Sequence, residues 1–314
     1  MITIVKAPPY LTVQDLGWSD LRSAGMPVGG AMDRDALAAG NVLVGNARDA
    51  AGLEWALAGG TLRFERACTL ALTGAEVTGT IGGKPAAMRT AVAASAGASL
   101  SIDRFVRGRF LYIAVAGGLD VPRLLGSRST YLPAGIGGFE GRRLKTGDAV
   151  PTGASPTRDP RIGRTVPSAW LHEGDDAAVR VVGGPQRRLI TDDAWRIFLA
   201  STFTVSPASD RMGYRLTAPT PILGSPADLP SEPACAGAIQ LPPDGNPIVL
   251  MADGPTVGGY AKIAVVISAD LARVAQRNPG EAVRFREVSV TDAQTVYRQH
   301  ATQLNQLEDL ASQG

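Results

Sequence analysis

Three glycine-rich clusters of the chain combine carboxylates with arginine, lysine or tyrosine. The first, VQDLGWSDLRSAGMPVGGAMDRDA (13–36), holds Asp15, Arg22 and Asp33. The second, AVAGGLDVPRLLGSRSTYLPAGIGGFEGRRLKTGD (114–148), holds Arg128. The third runs from SDRMGYRL (209–216), with Arg211 and Tyr214, to SEPACAGAIQLPPDGNPIVLMADGPTVGGYAKI (231–263), with Asp253, Thr256, Tyr260 and Lys262. Asp15, Asp33 and Asp253 are candidate acid–base or orienting carboxylates. Arg22, Arg128 and Arg211 are candidate forks for a substrate carboxylate. Tyr214 and Tyr260 are candidate donors to a carbonyl that becomes an oxyanion; Lys262 either joins them or is solvated. The double glycine at 258–259 reads as a turn that brings Asp253, Thr256 and Tyr260 toward one pocket. Each cluster alone is also ordinary turn chemistry, with Asp and Ser capping and Gly supplying positive φ. Three such clusters together favour a site for a carboxylate, carbamoyl or amide ligand.

Other chemistries find little support. GGYAK has the wrong spacing for a phosphate loop, and no GxGxxG opens a βαβ unit. His172 and His300 are the only histidines, a poor basis for a metal centre or a Ser-His-Asp relay. No lysine lies between two methionines, as a biotinyl site requires. The expectation is that this chain binds neither a metal nor a cofactor of its own, so that energy-coupled chemistry would draw on other chains. A net charge of +2, without a basic stripe, argues against nucleic acid. Cys68 and Cys235 sit in apolar surroundings and are expected to be buried structural thiols. The opening MITIVKAPPYLTVQD lacks a signal-peptide layout, and no apolar run approaches the roughly 18 residues that span a bilayer. A soluble cytoplasmic protein is expected.

The elements that must position these groups are mostly strands. Glycine (37) and proline (22) are scattered between short apolar runs, a pattern of many strands joined by turns. TLRFE (61–65), CTLALTG (68–74), FLYIAVAG (110–117), AAVRVVGG (177–184), PIVLMAD (247–253) and AVRFREVSV (282–290) are the examples. Helices are expected at 31–46 with Asp33 as N-cap, at 191–200, at 268–280 capped by Ser268 or Asp270, and at 291–310. A faint repeat, AGASLSI, KTGDAVP and PGEAVRF, and a loop-like segment at 151–168 suggest two β-rich domains, 1–155 and 165–314. Each is expected to close into a barrel, since closure removes exposed edges.

Taken together, QDLG, GAMDRDAL, LVGN, LTGAEV, AVAGGLDVP, LLGSRST, GGFEGRRLKTGD, SDRMGYRL, SEP, GAIQLPPDGNPIVLMAD and GGYAKI resemble the biotin-dependent carboxyltransferase-like family, which includes the 5-oxoprolinase C subunit, allophanate hydrolase subunit 2 and KipA. The resemblance runs from about residue 8 to residue 290. It implies a mainly β chain of two tandem cyclophilin-like β-barrels with a few helices. It implies a KipI-like B subunit for a partner, joined in the oxoprolinase system by an A subunit, where the complex opens 5-oxoproline to glutamate at the expense of ATP. Urea carboxylase relatives imply carboxyl transfer served by biotin on another domain, and KipA relatives imply a regulatory protein that binds a kinase inhibitor. The sequence departs from the family pattern at Trp18 and Asp20, at Gly29 in place of a serine, and at Pro255, Val257 and Ala261. Pro255 replaces a glutamine and so removes a side-chain amide and a backbone donor.

Overall fold

The computed structural model describes residues 1–154, 162–167, 177–223 and 229–312. His172 and residues 155–161 and 168 of the expected linker lie outside them. The chain divides into two compact units, one of residues 1–17, 29–174 and 303–314, the other of residues 18–28 and 175–302. Both are built mainly of β-strands. Four α-helices occur among the described residues, none of them long and apolar enough to cross a membrane.

Among the described residues, the first unit is built on a nine-stranded sheet, with a separate small ladder of β9 (Thr130–Tyr131) and β10 (Ile136–Gly137). The main path of the sheet runs β11 (Ala149–Val150), β1 (Ile2–Lys6), β4 (Gly60–Phe64), β8 (Ser99–Val115), β3 (Gly52–Ala56), β2 (Tyr10–Gln14). The long β5 (Cys68–Ile81) pairs with β8 along nearly its whole length and carries β6 (Lys84–Pro85) and β7 (Val92–Ala94). The expected runs 68–74 and 110–117 are thus single ends of strands about twice as long, 14 and 17 residues. Alternation sorts the side chains. Leu11, Val13, Leu53, Trp55, Leu70, Leu72, Leu111 and Ile113 enter one large core. Ala71, Thr73, Tyr112 and Ala114 alternate with them onto the opposite face. There α1 (Arg34–Leu43) packs closely, because a Cβ on Gly40 would meet Thr73 and Ala114 at 3.0 and 3.2 Å. Asp33 caps this helix as expected, accepting from the Ala36 N–H at 2.9 Å.

The second unit holds a closed barrel in the order β12 (Val179–Gly183), β19 (Ala261–Val266), β16 (Ala238–Leu241), β17 (Ile248–Leu250), β14 (Gly213–Thr217), β13 (Thr202–Val205), β20 (Ala282–Glu287). The parallel β12–β20 pair, with Val179 opposite Phe285, completes it. Closure is therefore found in this unit, while the sheet of the first unit follows an open path. Helix α2 (Asp192–Ala200), capped by Thr191, stacks Phe198 on Phe285 with ring centroids 5.0 Å apart.

The helix expected at 268–280 is short, α3 (Leu271–Ala275), and Asp270 makes no cap bond. Its buried carboxylate turns instead to Arg180 on β12, accepting from the backbone N–H at 2.8 Å and from Nε and Nη2 at 2.9 and 2.6 Å. A buried carboxylate gains more from a forked cation than from one amide. Burial raises the Asp270 pKa, but the Arg180 bonds outweigh it and leave the group below its ordinary value of 3.8. A depressed carboxylate pKa contributes stability that is full above the unfolded value, near pH 4, and is lost as pH falls through the folded value. Asp270→Asn should therefore lower stability at pH 7 and flatten the fall in stability below about pH 4. Parallel acid titrations of both proteins by circular dichroism test this; coincident acid limbs would refute it.

Helix α4 (Val290–Ser312) ends the described chain. Both cysteines are free; Cys68 is half-buried and its thiol is pushed up to about 11 by burial, whereas Cys235 is exposed. The expectation of a buried Cys235 fails because the residue sits in a tight turn, its carbonyl taken by the Ala238 N–H at 3.0 Å.

Candidate functional site

In the first unit, Asp15 ends β2 and is an organising carboxylate. Oδ1 accepts from the Gly17 N–H at 2.7 Å and from the Ser127 and Ser129 hydroxyls, both at 2.6 Å. Oδ2 accepts from the Arg128 N–H at 2.6 Å. The Asp15 carbonyl takes the Ala31 N–H at 2.9 Å. Gly30, at φ +77°, lies so close to the Asp15–Gly17 turn that a Cβ would meet backbone at 2.7 Å. Neighbouring Gly29, at φ +59°, also holds the left-handed conformation that favours glycine over serine. Arg128 contributes its backbone to Asp15, while its guanidinium bonds the Val121 carbonyl and Asp120 at 2.7 and 2.8 Å.

Beside this knot, the α1-facing side of β2, β3 and β8 carries a buried polar row. Register places Thr12 opposite Glu54, and Glu54 opposite Tyr112. Glu54 accepts from the Tyr10 and Tyr112 hydroxyls at 3.0 and 2.8 Å and from the Met32 N–H at 2.8 Å. Tyr112 in turn accepts from the Asp33 N–H at 2.7 Å. Burial first, then the Glu54 and Asp33 charges, push the Tyr112 phenol well above its ordinary value of 10.0, so it stays a proton donor to Glu54. Gln14 donates to the Thr12 hydroxyl and the Thr130 carbonyl, both at 3.1 Å, and its Oε1 is buried without a partner.

In the second unit, Arg211 and Asp253 form a buried fork, Nε to Oδ2 and Nη2 to Oδ1, both at 2.8 Å. The Asp253 N–H also bonds the Arg211 carbonyl at 2.9 Å, and the Met251 N–H bonds the Met212 carbonyl at 3.1 Å. The two motifs SDRMGYRL and DGPTVGGYAKI are thereby joined at their ends. Tyr214 is fully buried on β14 and donates to the Ala275 carbonyl at 2.6 Å. Arg22 donates from Nη2 to the Ala234 carbonyl, and the Thr256 carbonyl takes the Ala234 N–H at 2.9 Å. Tyr260 is exposed.

Lys262 is not solvated. Only 5% exposed, it lies on β19 directly across from Gln240 of β16. Its ammonium is 3.3 Å from Glu232 Oε2, which also accepts from Gln186 Nε2 at 2.6 Å. Gln186 Oε1 takes the Lys262 N–H at 3.0 Å. Glu232 belongs to a small ladder, β15 (Glu232–Pro233) with β18 (Val257–Gly258), in which Glu232 pairs with Gly258. Thus the glycine-rich loop and the β16–β19 pair are joined through the SEP motif, whose Glu232 meets the Lys262 ammonium and pairs with Gly258. Such an arrangement suits a neutral polar ligand with an electron-rich oxygen.

Of the residues proposed from sequence, the structure joins Asp15 with the backbone of Arg128, and Arg211 with Asp253. Sequence reading does not single out the residues around Lys262: Glu232 at its ammonium, Gln186 at its backbone N–H and Gln240 across the ladder. Glu54 is missed as well, although a lone acid in GLEWA, between core residues, is a usable signal.

A mainly β chain with these two units and this lysine-centred cluster belongs to the carboxyltransferase domain, subdomain A and B, family, whose model matches residues 24–287. It is 35% identical to the 5-oxoprolinase C subunit of Haemophilus influenzae over 100% of this chain and 99% of that protein. It is 36% identical to the protein of the same name from Escherichia coli, over 93% of each chain. Among solved structures it is similar to the Kluyveromyces lactis urea carboxylase, at 26% identity and a TM-score of 0.89. That match covers 99% of this chain but only 29% of the larger enzyme.

Proposed function

We propose that this chain is the C-type subunit of a cytoplasmic 5-oxoprolinase. Acting with a KipI-like B subunit and with an A subunit, it would open the lactam of 5-oxoproline to glutamate with consumption of ATP, the nucleotide site belonging to a partner. The observation that carries this reading is the end-to-end match to a protein of that name, at 35% identity over 99% of its length. The buried Lys262 ammonium supports it, since it supplies a fixed positive charge where a lactam carbonyl gains negative charge. Asp253, Thr256 and Tyr260 remain proposed contributors from the adjoining loop, with Arg22 the proposed contact to a ligand carboxylate. Co-expression with the A and B subunits should yield a complex that forms glutamate from 5-oxoproline only when ATP and this chain are both present. An assembled complex that forms no glutamate overturns the proposal. A carboxyltransferase role, with biotin carried on another domain, is favoured by the structural match to urea carboxylase. It predicts urea-dependent activity with a biotin carboxylase instead.

A further inference from the structure

Gln186 lies just beyond β12 and is tied to β19 through both its backbone and its side chain. Its N–H donates to the Lys262 carbonyl at 3.2 Å, and its Oε1 accepts from the Lys262 N–H at 3.0 Å. The turn before it rests on the same stretch of backbone, with the Gly184 N–H on the Ile263 carbonyl at 2.8 Å. A Cβ on Gly184 would meet the Lys262 carbonyl oxygen at 2.1 Å, so the approach needs a residue without one. These bonds fix a buried amide whose remaining group, Nε2, donates to Glu232 Oε2 at 2.6 Å. A glutamine that served only to pair with β19 would have no use for a carboxylate. This one spends its free end on holding one. The two oxygens of Glu232 are treated differently. Oε2 accepts from Gln186 and, at 3.3 Å, from the Lys262 ammonium. Among the described residues no donor reaches Oε1, and the side chain is 47% exposed against 6% for Lys262. Its backbone is held by the pairing with Gly258. An ordinary surface ion pair leaves its carboxylate free to turn. Here a neutral amide fixes the carboxylate without cancelling its charge, and one oxygen faces solvent. Asp15 and Asp253, by contrast, have both oxygens engaged.

We infer that Glu232 is the proton acceptor of this site and that Gln186 is its positioning residue. The inference deepens the lactam-opening reading and rests on it for the reaction. Oε1 takes one proton from a water molecule as the water oxygen bonds to the lactam carbonyl carbon. The carbonyl oxygen becomes an oxyanion, and the fixed charge of Lys262 beside Oε2 opposes its negative charge. When the C–N bond breaks, the proton on Oε1 passes to the departing nitrogen. One water is consumed, an amine and a carboxylic acid are formed, and Glu232 ends as the carboxylate it began as. Gln186 does not touch the ligand. It keeps Oε2 beside Lys262, so that Oε1 stays turned outward.

Two experiments test the inference. The first uses the full chain alone, labelled with 15N-lysine. The chain has four lysines, Lys6, Lys84, Lys145 and Lys262, and of these only Lys262 is buried. Its ammonium N–H signal should therefore survive the solvent exchange that erases the other three. Gln186→Met and Glu232→Gln should each abolish or shift that signal, with the melting temperature showing that both variants fold. A signal that Gln186→Met leaves unchanged overturns the positioning role. The second experiment uses the assembled complex with 5-oxoproline. Glu232→Gln should lower kcat at least about 100-fold with KM little changed, as for a lost general base. Gln186→Glu keeps the acceptor for the Lys262 N–H but sets an oxygen against Glu232 Oε2. It should lower kcat about tenfold, the effect of a misplaced catalytic group. Added formate should restore part of the turnover of Glu232→Ala, which loss of a merely structural contact would not allow. A complex that turns over with kcat unaffected by Glu232→Gln, or a Glu232→Ala complex that formate does not rescue, overturns the proton-acceptor role and leaves the function standing. A wild-type complex without turnover overturns the lactam reading and the proton-acceptor role with it, while the lysine signal still decides whether Gln186 holds Glu232 in place.

Discussion

Arg211→Ala should lower the free energy of unfolding by about 3–5 kcal/mol, the range found when one partner of a buried ion pair is removed. The loss is large because Asp253 is only 2% exposed and its two oxygens receive Nε and Nη2 of the same guanidinium. Without the fork, an ionised carboxylate stays buried beside the Leu250–Gly254 turn, or the turn opens to hydrate it. Asp253→Ala should cost a similar amount, and the double variant Arg211→Met/Asp253→Leu should recover most of it, because two apolar groups leave no charge uncompensated. Urea unfolding of the four proteins, compared at constant m, measures the two losses and the recovery. A single-mutant loss below about 1 kcal/mol would place the pair in the class of exposed bridges and contradict its burial. The same fork bears on function: Arg211 spends its planar face on Asp253, so its replacement acts on turnover through the position of the 253–262 loop.

Asp15→Ala is the second large effect, again about 3–5 kcal/mol. Four donors converge on this carboxylate, and both serine hydroxyls are on side chains at most 1% exposed. Each donor left buried without an acceptor costs roughly 1–3 kcal/mol. Partial relaxation of the 127–130 segment toward water keeps the sum below four times that figure. Asp15→Asn keeps one oxygen but sets an N–H against a donor, and should recover less than half of the loss. Hydrogen exchange gives a local readout: amides of Gly17, Arg128 and Ala31 should lose protection first. Unchanged protection there would sink the assignment of Asp15 as the organiser of this turn.

Both effects concern residues that the sequence puts forward for acid–base work or ligand binding. Their types and their motifs are legible there, but not their partners. An aspartate in a glycine-rich turn reads alike whether it abstracts a proton, caps a helix or ties two loops together. Asp33 is resolved locally, because a cap bonds an N–H three residues on. Asp15 and Asp253 are not, because their partners lie 112–114 and 42 residues away. Asp270 shows the same limit from the other side: local rules make it a cap, and a distant Arg180 outcompetes the helix N-terminus.

The strands are legible in kind, since period-two alternation survives in any register. Their lengths are not. β5 and β8 run 14 and 17 residues because each stabilises the other across turn-like glycines that look like breaks in a single sequence. Glu54 and Gln240 mark the boundary most clearly. Each sits in a short strand among apolar residues, where alternation assigns it to the face opposite the core and solvent is the default. Helix α1 and the turn at Met32 cover the first, and the glycine-rich loop at Gly258 covers the second.

By itself, the sequence determined the mainly β architecture, the family and the loops where function would concentrate, because these follow from local periodicity, turn chemistry and ordered motifs. Only the tertiary structure decided that Lys262 is buried beside Glu232 and Gln186, that Arg211 is committed to Asp253, and that Gln240 lies across the ladder from Lys262. Hydrogen-bond partners and burial are set by which strands meet and in what register, and that information is carried by no single segment of the chain.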